Sequence, residues 1–292
     1  MDDSLAHWLR LREASDVSAR SEALTRDIAA TLPVDEPLYA LDLATGAGSN
    51  IRYLAERLQG QQHWLAVDQS PELLADLLGR MRTWGVARGY QVDITGNACK
   101  IRGSRLDCHV ETLQLDLGVL SDRVLFSGRR LVTASALLDL VSESWLRALA
   151  AHCRAEGASA LFTISYNGHS SCEPHEPEDE AVLELFNRHQ RTDKGLGGPA
   201  AGPDAADTAA RCFAETGFHV QRVPSNWDLA PTEQDMQRVL VDGWANAATE
   251  VAPRRARMIS DWRARRLAHV DAGVSHVIVG HDDLAAWPRP TP

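Results

Sequence analysis

Cysteine is scarce in this chain, and long apolar runs are missing. Five cysteines stand at positions 99, 108, 153, 172 and 212, an odd number with no Cys-x-x-Cys pair. That excludes a disulfide framework and a zinc-knuckle spacing, and fits a reducing compartment. No apolar stretch approaches the roughly 20 residues that span a bilayer. The opening MDDSLAHWLRLREASD is acidic at its tip and interrupted by charges, without the basic start or apolar core of a signal peptide. Positive charge is also in deficit: 30 Lys and Arg against 40 Asp and Glu leave a formal charge of −10. That is the wrong sign for a surface that holds a phosphate backbone. The expectation is a soluble cytoplasmic protein whose partners are small molecules, with no nucleic acid and no membrane; the oligomeric state is not readable.

What is present is an ordinary globular composition, 44% hydrophobic and 24% charged in 292 residues. Length alone allows one large α/β domain or two small ones, but no internal repeat and no long linker divides the chain. After an N-terminal helical segment the apolar period switches repeatedly between strand-like runs and helix-like stripes, the pattern of a mostly parallel sheet covered on both faces. LYALDLA (38–44) and HWLAVD (63–68) read as the first two strands. Between them Ile51, Leu54, Ala55 and Leu58 share one helix face. Ser70-Pro71-Glu72 supplies a cap, a proline at the first helical position and an acid at the positive end of the dipole. Residues 90–116 alternate with period two around Thr95-Gly96-Asn97, a hairpin insertion leading into the third strand. LVTASALL (131–138), ALFTISY (160–166), FHVQRV (218–223) and SHVIVGH (275–281) supply strands four to seven. Residues 167–203 read as a polar loop region with a helical patch near 180–188, and two helices follow strand six.

The stretch LDLATGAGSN (41–50) carries the chemistry. In an open α/β sheet the ligand sits beyond the carboxyl ends of the strands, and glycine there lets the backbone approach it. Gly46 and Gly48 meet that need, but the dinucleotide fingerprint wants a third glycine where this chain has Ile51. A pyrophosphate site, and with it an NAD(P)-dependent oxidoreductase, is therefore the weaker reading. Asp68, at the end of strand two, stands where a carboxylate can accept from both ribose hydroxyls. Taken alone, Gly46-Ala47-Gly48 is equally a plain strand-to-helix turn.

Together LDLATGAGSN, VDQS (67–70), LDL (115–117) and LVTASALLDLVSESWL resemble the class I S-adenosylmethionine-dependent methyltransferases, over roughly residues 35–225 plus the last strand. The resemblance implies a Rossmann-like α/β fold of seven strands in the order 3-2-1-4-5-7-6, the last antiparallel, with helices on both faces and helical cap insertions. It implies one methyltransferase domain over 1–292: an N-terminal cap (1–34), a cofactor-binding core (35–166), and substrate-side insertions (167–203 and 225–272). It implies S-adenosylmethionine as cofactor, S-adenosylhomocysteine as product and no metal. The cofactor set it carries over is Asp42, Ala44, Gly46, Gly48, Asn50, Asp68, Gln69, Asp116, Leu117 and Ser135. Gly46 and Gly48 would lie against the methionine and ribose, Asp68 would hold the ribose, Asp116 the adenine amino group with Leu117 beside the ring, and Ser135 the methionine end. Ala44 departs from the family's usual glycine. The activity implied is transfer of a methyl group to an oxygen or nitrogen of a small metabolite; a silent cofactor-binding protein would keep the same residues.

Candidates on the substrate side come from residue type and place. Arg12, Asp16 and Arg20 recur at spacing four, so Arg20 or Arg12 could pair with the cofactor carboxylate, or the three form a solvated ladder. Tyr166 and Asn167 leave strand five, where an active-site wall is expected and Asn167 would bind substrate, and Asp139 follows strand four. FNRHQRTDKG (186–195) has the composition of a lid loop. His189 would be its general base, with Arg191 and Asp193 binding substrate. The catalytic set is then His189, Tyr166 and Asp139. Glu173–Glu180 reads as an exposed acidic loop, and the six arginines between 254 and 266 as a solvated basic face.

Overall fold

The computed structural model describes residues 3–120 and 123–289. Two helices come first, α1 (Asp3–Ala19) and α2 (Glu22–Thr31), and then the sheet begins with β1 (Leu38–Leu43), α3 (Ser49–Ala55) and β2 (Gln61–Asp68). Ser70 caps α4 (Pro71–Ala87) by accepting from the Leu73 amide, with Pro71 and Glu72 in its first turn. The hairpin β3 (Gln91–Thr95) and β4 (Ala98–Arg102) leads into β5 (Asp107–Gln114). β6 (Leu131–Ser135), α5 (Glu143–Glu156) and β7 (Ser159–Glu173) follow, then α6 (Asp179–Gln190), α7 (Ala205–Glu215), β8 (Phe218–Pro224) and β9 (Trp227–Leu229). α8 (Gln234–Val251), α9 (Ala256–Asp271) and β10 (His276–Pro288) close the chain.

The strands form one sheet in the order β3-β4-β5-β2-β1-β6-β7-β10-β8, with β9 paired to β10. Its central path, β5-β2-β1-β6-β7-β10-β8, is the expected 3-2-1-4-5-7-6, parallel from β5 to β7 and antiparallel at β10. This is the Rossmann-like arrangement. The described strands number ten rather than seven, because the hairpin pairs onto β5 and extends the sheet, and β9 adds a short edge. α2, α3 and α4 bury their apolar stripes on one face, through Leu24, Ile28, Ile51, Leu54, Leu77 and Met81. α5 and α7 cover the other, through Trp145, Leu149, Ala209 and Phe213. A third cluster joins α6, α8 and α9 to the far half of β7, with Leu185, Trp244 and Trp262 packing near Tyr166. It forms a helical cap above the carboxyl end of the sheet.

Several boundaries differ from the sequence reading, each for a packing reason. β7 does not stop at Tyr166 but runs to Glu173, because the first residues of β10 pair with its extension, Val277 opposite Cys172. β10 likewise continues past His281 through Asp282 and Asp283 to Pro288, pairing with β8. Phe186 to Gln190 are not loop but the end of α6, where Val182 and Leu185 set a buried stripe that carries the polar residues along. The acidic segment after β7 is not a free loop: Glu176 accepts from Arg265 and His269, and Asp179 from Arg266 and Trp262. Arg266 is fully buried, so that face of α9 is not the solvated one expected. No helix among the described residues is long and apolar enough to cross a membrane.

Candidate functional site

Where β1 ends, the chain must turn sharply to enter α3, and the backbone there takes left-handed conformations. Ala44 has φ 48°, Gly46 54° and Gly48 75°. A left-handed alanine costs about 1–2 kcal/mol, and strain of this kind concentrates at functional sites. The Thr45 amide donates to the Val67 carbonyl and the Gly46 amide to Asp68 Oδ2 at 2.8 Å, so the turn is strapped to the end of β2. Asp68 Oδ1 accepts from the Ser70 amide at 3.0 Å. The carboxylate is thus fixed by two backbone donors while its remaining lone pairs stay available, and the residue lines a cavity of about 330 Å³.

That cavity lies over the carboxyl ends of β1, β2 and β6. Its floor is Asp42, Ala44, Thr45, Gly46, Ala47, Ser49 and Asn50, and one wall is Asp68, Gln69, Leu73, Leu115 and Leu117. Ser135, Ala136, Leu137 and Leu140 come from the exit of β6. Its roof is α1, through Leu5, Trp8, Leu9, Arg12, Glu13 and Asp16. Ala136 is a second left-handed alanine, φ 53°, at the end of the neighbouring strand. Leu196 closes one side from the glycine-rich loop after α6. It is held there because its carbonyl accepts from the Ser142 amide.

Beneath the floor Asp42 accepts from Thr45 Oγ1, Asn50 Nδ2 and Thr133 Oγ1 at 2.6, 2.6 and 2.7 Å. Burial raises its pKa, and those three hydrogen bonds oppose the rise. Because the Asn50 amide nitrogen must face this acceptor, its Oδ1 is left without a hydrogen-bond partner, on the lining of the cavity. Beside Ser135 lies Arg20, 3% exposed. Its Nη2 donates to Ser135 Oγ at 3.0 Å, while Nε and Nη1 have no partner. Burial lowers its pKa, and Asp16, Asp283, Tyr53 and Asp42 hold it up. A buried cation with two unused donors is costly unless an anion completes it.

The sequence candidates divide accordingly. Asp42, Ala44, Gly46, Asn50, Asp68, Gln69, Leu117 and Ser135 come together around one cavity, with Arg20 directly behind Ser135. Gly48 does not face it: a Cβ there would lie 2.7 Å from Leu77 Cγ, so this glycine makes room for α4. Asp116 is exposed, its Oδ1 accepting from the Gly118 amide in a local turn, and the hydrophobic residues on either side of it line the wall instead. Arg12 and Asp16 are not a solvated ladder but a buried pair in the roof, the arginine 5.1 Å from the Trp227 ring centre and the aspartate accepting from Trp227 Nε1.

Asp139 and Tyr166 sit behind the β6 wall. Asp139 is buried with Oδ1 unpaired, and burial pushes its carboxyl up to about 6. The Tyr166 hydroxyl donates to Asn187 at 2.8 Å, and burial raises its pKa. His281, which the sequence reading passed over, packs 4.4 Å from the Trp227 ring and is driven down to about 3 by burial and the nearby Arg12. The lid residues stand apart. His189, at the end of α6, meets Glu250 at 3.0 Å and Lys194 at 3.3 Å. Arg191 pairs with Asp204, Asp193 Oδ1 accepts from the Gly195 amide, and Asn167 Oδ1 accepts from the His169 amide; none of these lines the cavity. The roof residues Trp8, Leu9 and Glu13 and the wall residue Leu196 were missed. Leu196 did leave a signal, the lone apolar residue among the glycines of GLGG.

No protein-family model and no curated protein matches this chain. Among solved structures it is similar to a SAM-dependent methyltransferase of Thiobacillus denitrificans in complex with S-adenosyl-L-homocysteine, at 14% identity and a TM-score of 0.44, over 97% of this chain and 98% of that one. A SAM-dependent methyltransferase of Geobacter sulfurreducens, also with S-adenosyl-L-homocysteine, gives 14% and 0.43 over 95% and 98%. A cyclopropane synthase of Mycobacterium tuberculosis gives 11% and 0.44 over 92% and 88%. The functional reading rests instead on the residues around the cavity.

Proposed function

We propose that the cavity binds S-adenosylmethionine and that the chain transfers its methyl group to an oxygen or nitrogen of a small metabolite. The observation that carries this reading is the Asp68 carboxylate, fixed by the Gly46 and Ser70 amides and open to the cavity. An acid so held suits a pair of vicinal hydroxyls. The donor set at the other end fits an amino acid: Asn50 Oδ1 is an unused acceptor for an ammonium, and Arg20 brings unused donors for a carboxylate up behind Ser135. Between them Leu73, Leu115 and Leu117 offer an apolar wall for a planar base. Nothing in the floor is shaped for a pyrophosphate, since Ile51 fills the third fingerprint position and is fully buried in the core.

Bound there, the cofactor supplies an activated methyl group. The chain's part is to orient it, exclude water and receive a proton where the acceptor carries one. Leu5, Trp8 and Leu9 of α1 exclude water from above. None of the three acid–base candidates lines the cavity; Asp139, just behind its β6 wall, is the one with an unpaired carboxylate oxygen, and burial pushes its carboxyl up to about 6. His189 is tied up by Glu250 and Lys194 away from the cavity, so no catalytic step is assigned to it. The test is to incubate the protein with methyl-labelled S-adenosylmethionine and a small-molecule extract and to follow the label. Transfer to a small compound, lost in Asp68→Ala, is expected; binding without transfer to any compound contradicts the enzymatic reading.

A further inference from the structure

Parallel strands buried in an α/β sheet normally have helices on both faces. Here one side of the outer strands, β3, β4 and β5, is bare. Among the described residues, the connection from Gln114 to Leu131 contains no α-helix, only a short 3₁₀ turn, Arg123–Phe126. The apolar side chains of that turn, Leu125 and Phe126, pack towards α5, where Phe126 stacks on His152. Burial therefore alternates along the outer strands. Cys99, Ile101, Cys108 and Val110 are buried under α4, while Lys100, Arg102, Glu111 and Leu113 point to the open side. In register across that side run Tyr39, His63, His109, Lys100 and Asp93. Tyr39 stacks on His63 at 4.9 Å, and His63 meets His109 edge-on at 5.7 Å. Tyr39 and Leu113 are 45% and 40% exposed. A groove of about 540 Å³ lies along the row, with the half-buried Arg129 on its lining and Arg129 Nε without a partner.

We propose that a second copy of this chain docks on this open face, sheet against sheet. The choice of partner follows from charge. The chain as a whole carries −10, yet on this face the acids Asp93, Asp107 and Glu111 are matched by the bases Lys100, Arg102 and Arg129. A nucleic acid or a strongly acidic protein needs a net positive surface, and a basic partner a net negative one. A neutral face that carries both signs is complementary to itself, as a two-fold interface requires. Across such a neutral face the net negative charges of two molecules are not brought directly together. Aromatic and imidazole rings along its middle row supply the flat, weakly hydrated surface that packed sheets share. This inference does not depend on the activity proposed above.

Sedimentation equilibrium over a range of concentrations tests it, on the wild type and on Tyr39→Glu, Leu113→Glu and Val274→Glu. All three sites are exposed, so the fold should tolerate the changes, and circular dichroism checks this. The wild type is expected to associate as a dimer. Tyr39→Glu and Leu113→Glu should each weaken the dimer by about tenfold or more, and Val274→Glu, beside β10 at the other end of the sheet, should leave it intact. A wild type that stays monomeric at every concentration overturns the proposal, and so does a dimer that both face variants leave untouched. Should a face variant unfold, amide exchange of the wild type decides: β4 and β5 must gain protection as concentration rises, and unchanged exchange there overturns it equally.

Discussion

At the scale of single residues, the two glycines of the β1–α3 turn have different work. Both have positive φ, but Gly48 faces Leu77 in α4, and Gly46 lies on the cavity with a Cβ position 3.3 Å from Leu9 Cδ1 in α1. Gly48→Ala should therefore cost stability, roughly 2–4 kcal/mol from left-handed backbone and overpacking, and leave ligand affinity near wild type. Gly46→Ala should cost less, since the atom it meets is the mobile end of a leucine, and should lose affinity. Denaturant melts paired with calorimetric titration separate the two; equal losses of affinity would contradict the division.

Asp139 makes a second residue-scale prediction. Its carboxyl rises from 3.8 to about 6 on burial, so between those values the native state holds the proton more tightly than the unfolded chain. Stability must fall as pH rises through that window, and the penalty is complete above about 6. Asp139→Asn removes the penalty. The variant should match the wild type in stability near pH 3 and exceed it near pH 7 by roughly 1–3 kcal/mol, as urea melts at the two pH values would show. Lower stability of the variant at neutral pH would mean that the charged carboxylate is compensated by partners.

Among the elements, α1 decides how the cavity is closed. Glu13 accepts from Arg52 in α3 at 2.6 Å and reaches Arg80 in α4 at 3.4 Å, clamping the roof to the body of the sheet. Arg52 is largely buried, so removing its partner leaves a poorly compensated cation. Glu13→Ala should thus loosen α1, speed ligand dissociation several-fold and lower stability by about 2–4 kcal/mol, measured by stopped-flow release and melting. Unchanged release would show that α1 closes the site without this clamp. The sequence reading named residues 1–34 as a cap but not the side chains that form the roof. Leu5, Trp8 and Leu9 do stand at the i, i+3, i+4 spacing of a helix face, but that spacing does not distinguish a face over a cavity from one over a core. The reach of β10 was hidden for a related reason. Asp282 and Asp283 resemble a loop, yet Asp283 is buried because it accepts from the Ser21 and Ile164 amides. The polar run at 187–191 suggested a lid, whereas an upstream stripe had already committed it to helix. Signals that depend on one or two neighbours came through: the Ser70 cap, the turn at Gly96, and the acid at the end of β2.

For the whole molecule, the central strands could be anticipated because each is a short apolar run followed by its own cap or turn, whereas their order was implied only by the family resemblance of LDLATGAGSN and VDQS. The sheet order then fixes which strand ends meet, and it is this meeting that brings Asp68, Asn50 and Ser135 to one cavity from three separate stretches of sequence. The bare side of β5 could not be seen, since it arises where the described residues between β5 and β6 form no α-helix. The central claim is that the cavity takes an adenosine joined to an amino acid and not a dinucleotide. Calorimetric titration of S-adenosylhomocysteine and of NAD into the wild type and Asp68→Ala tests it most directly. Saturable binding of S-adenosylhomocysteine by the wild type, abolished in Asp68→Ala, with no binding of NAD, is the predicted result; binding of NAD alone, or binding of S-adenosylhomocysteine indifferent to Asp68, would contradict the account.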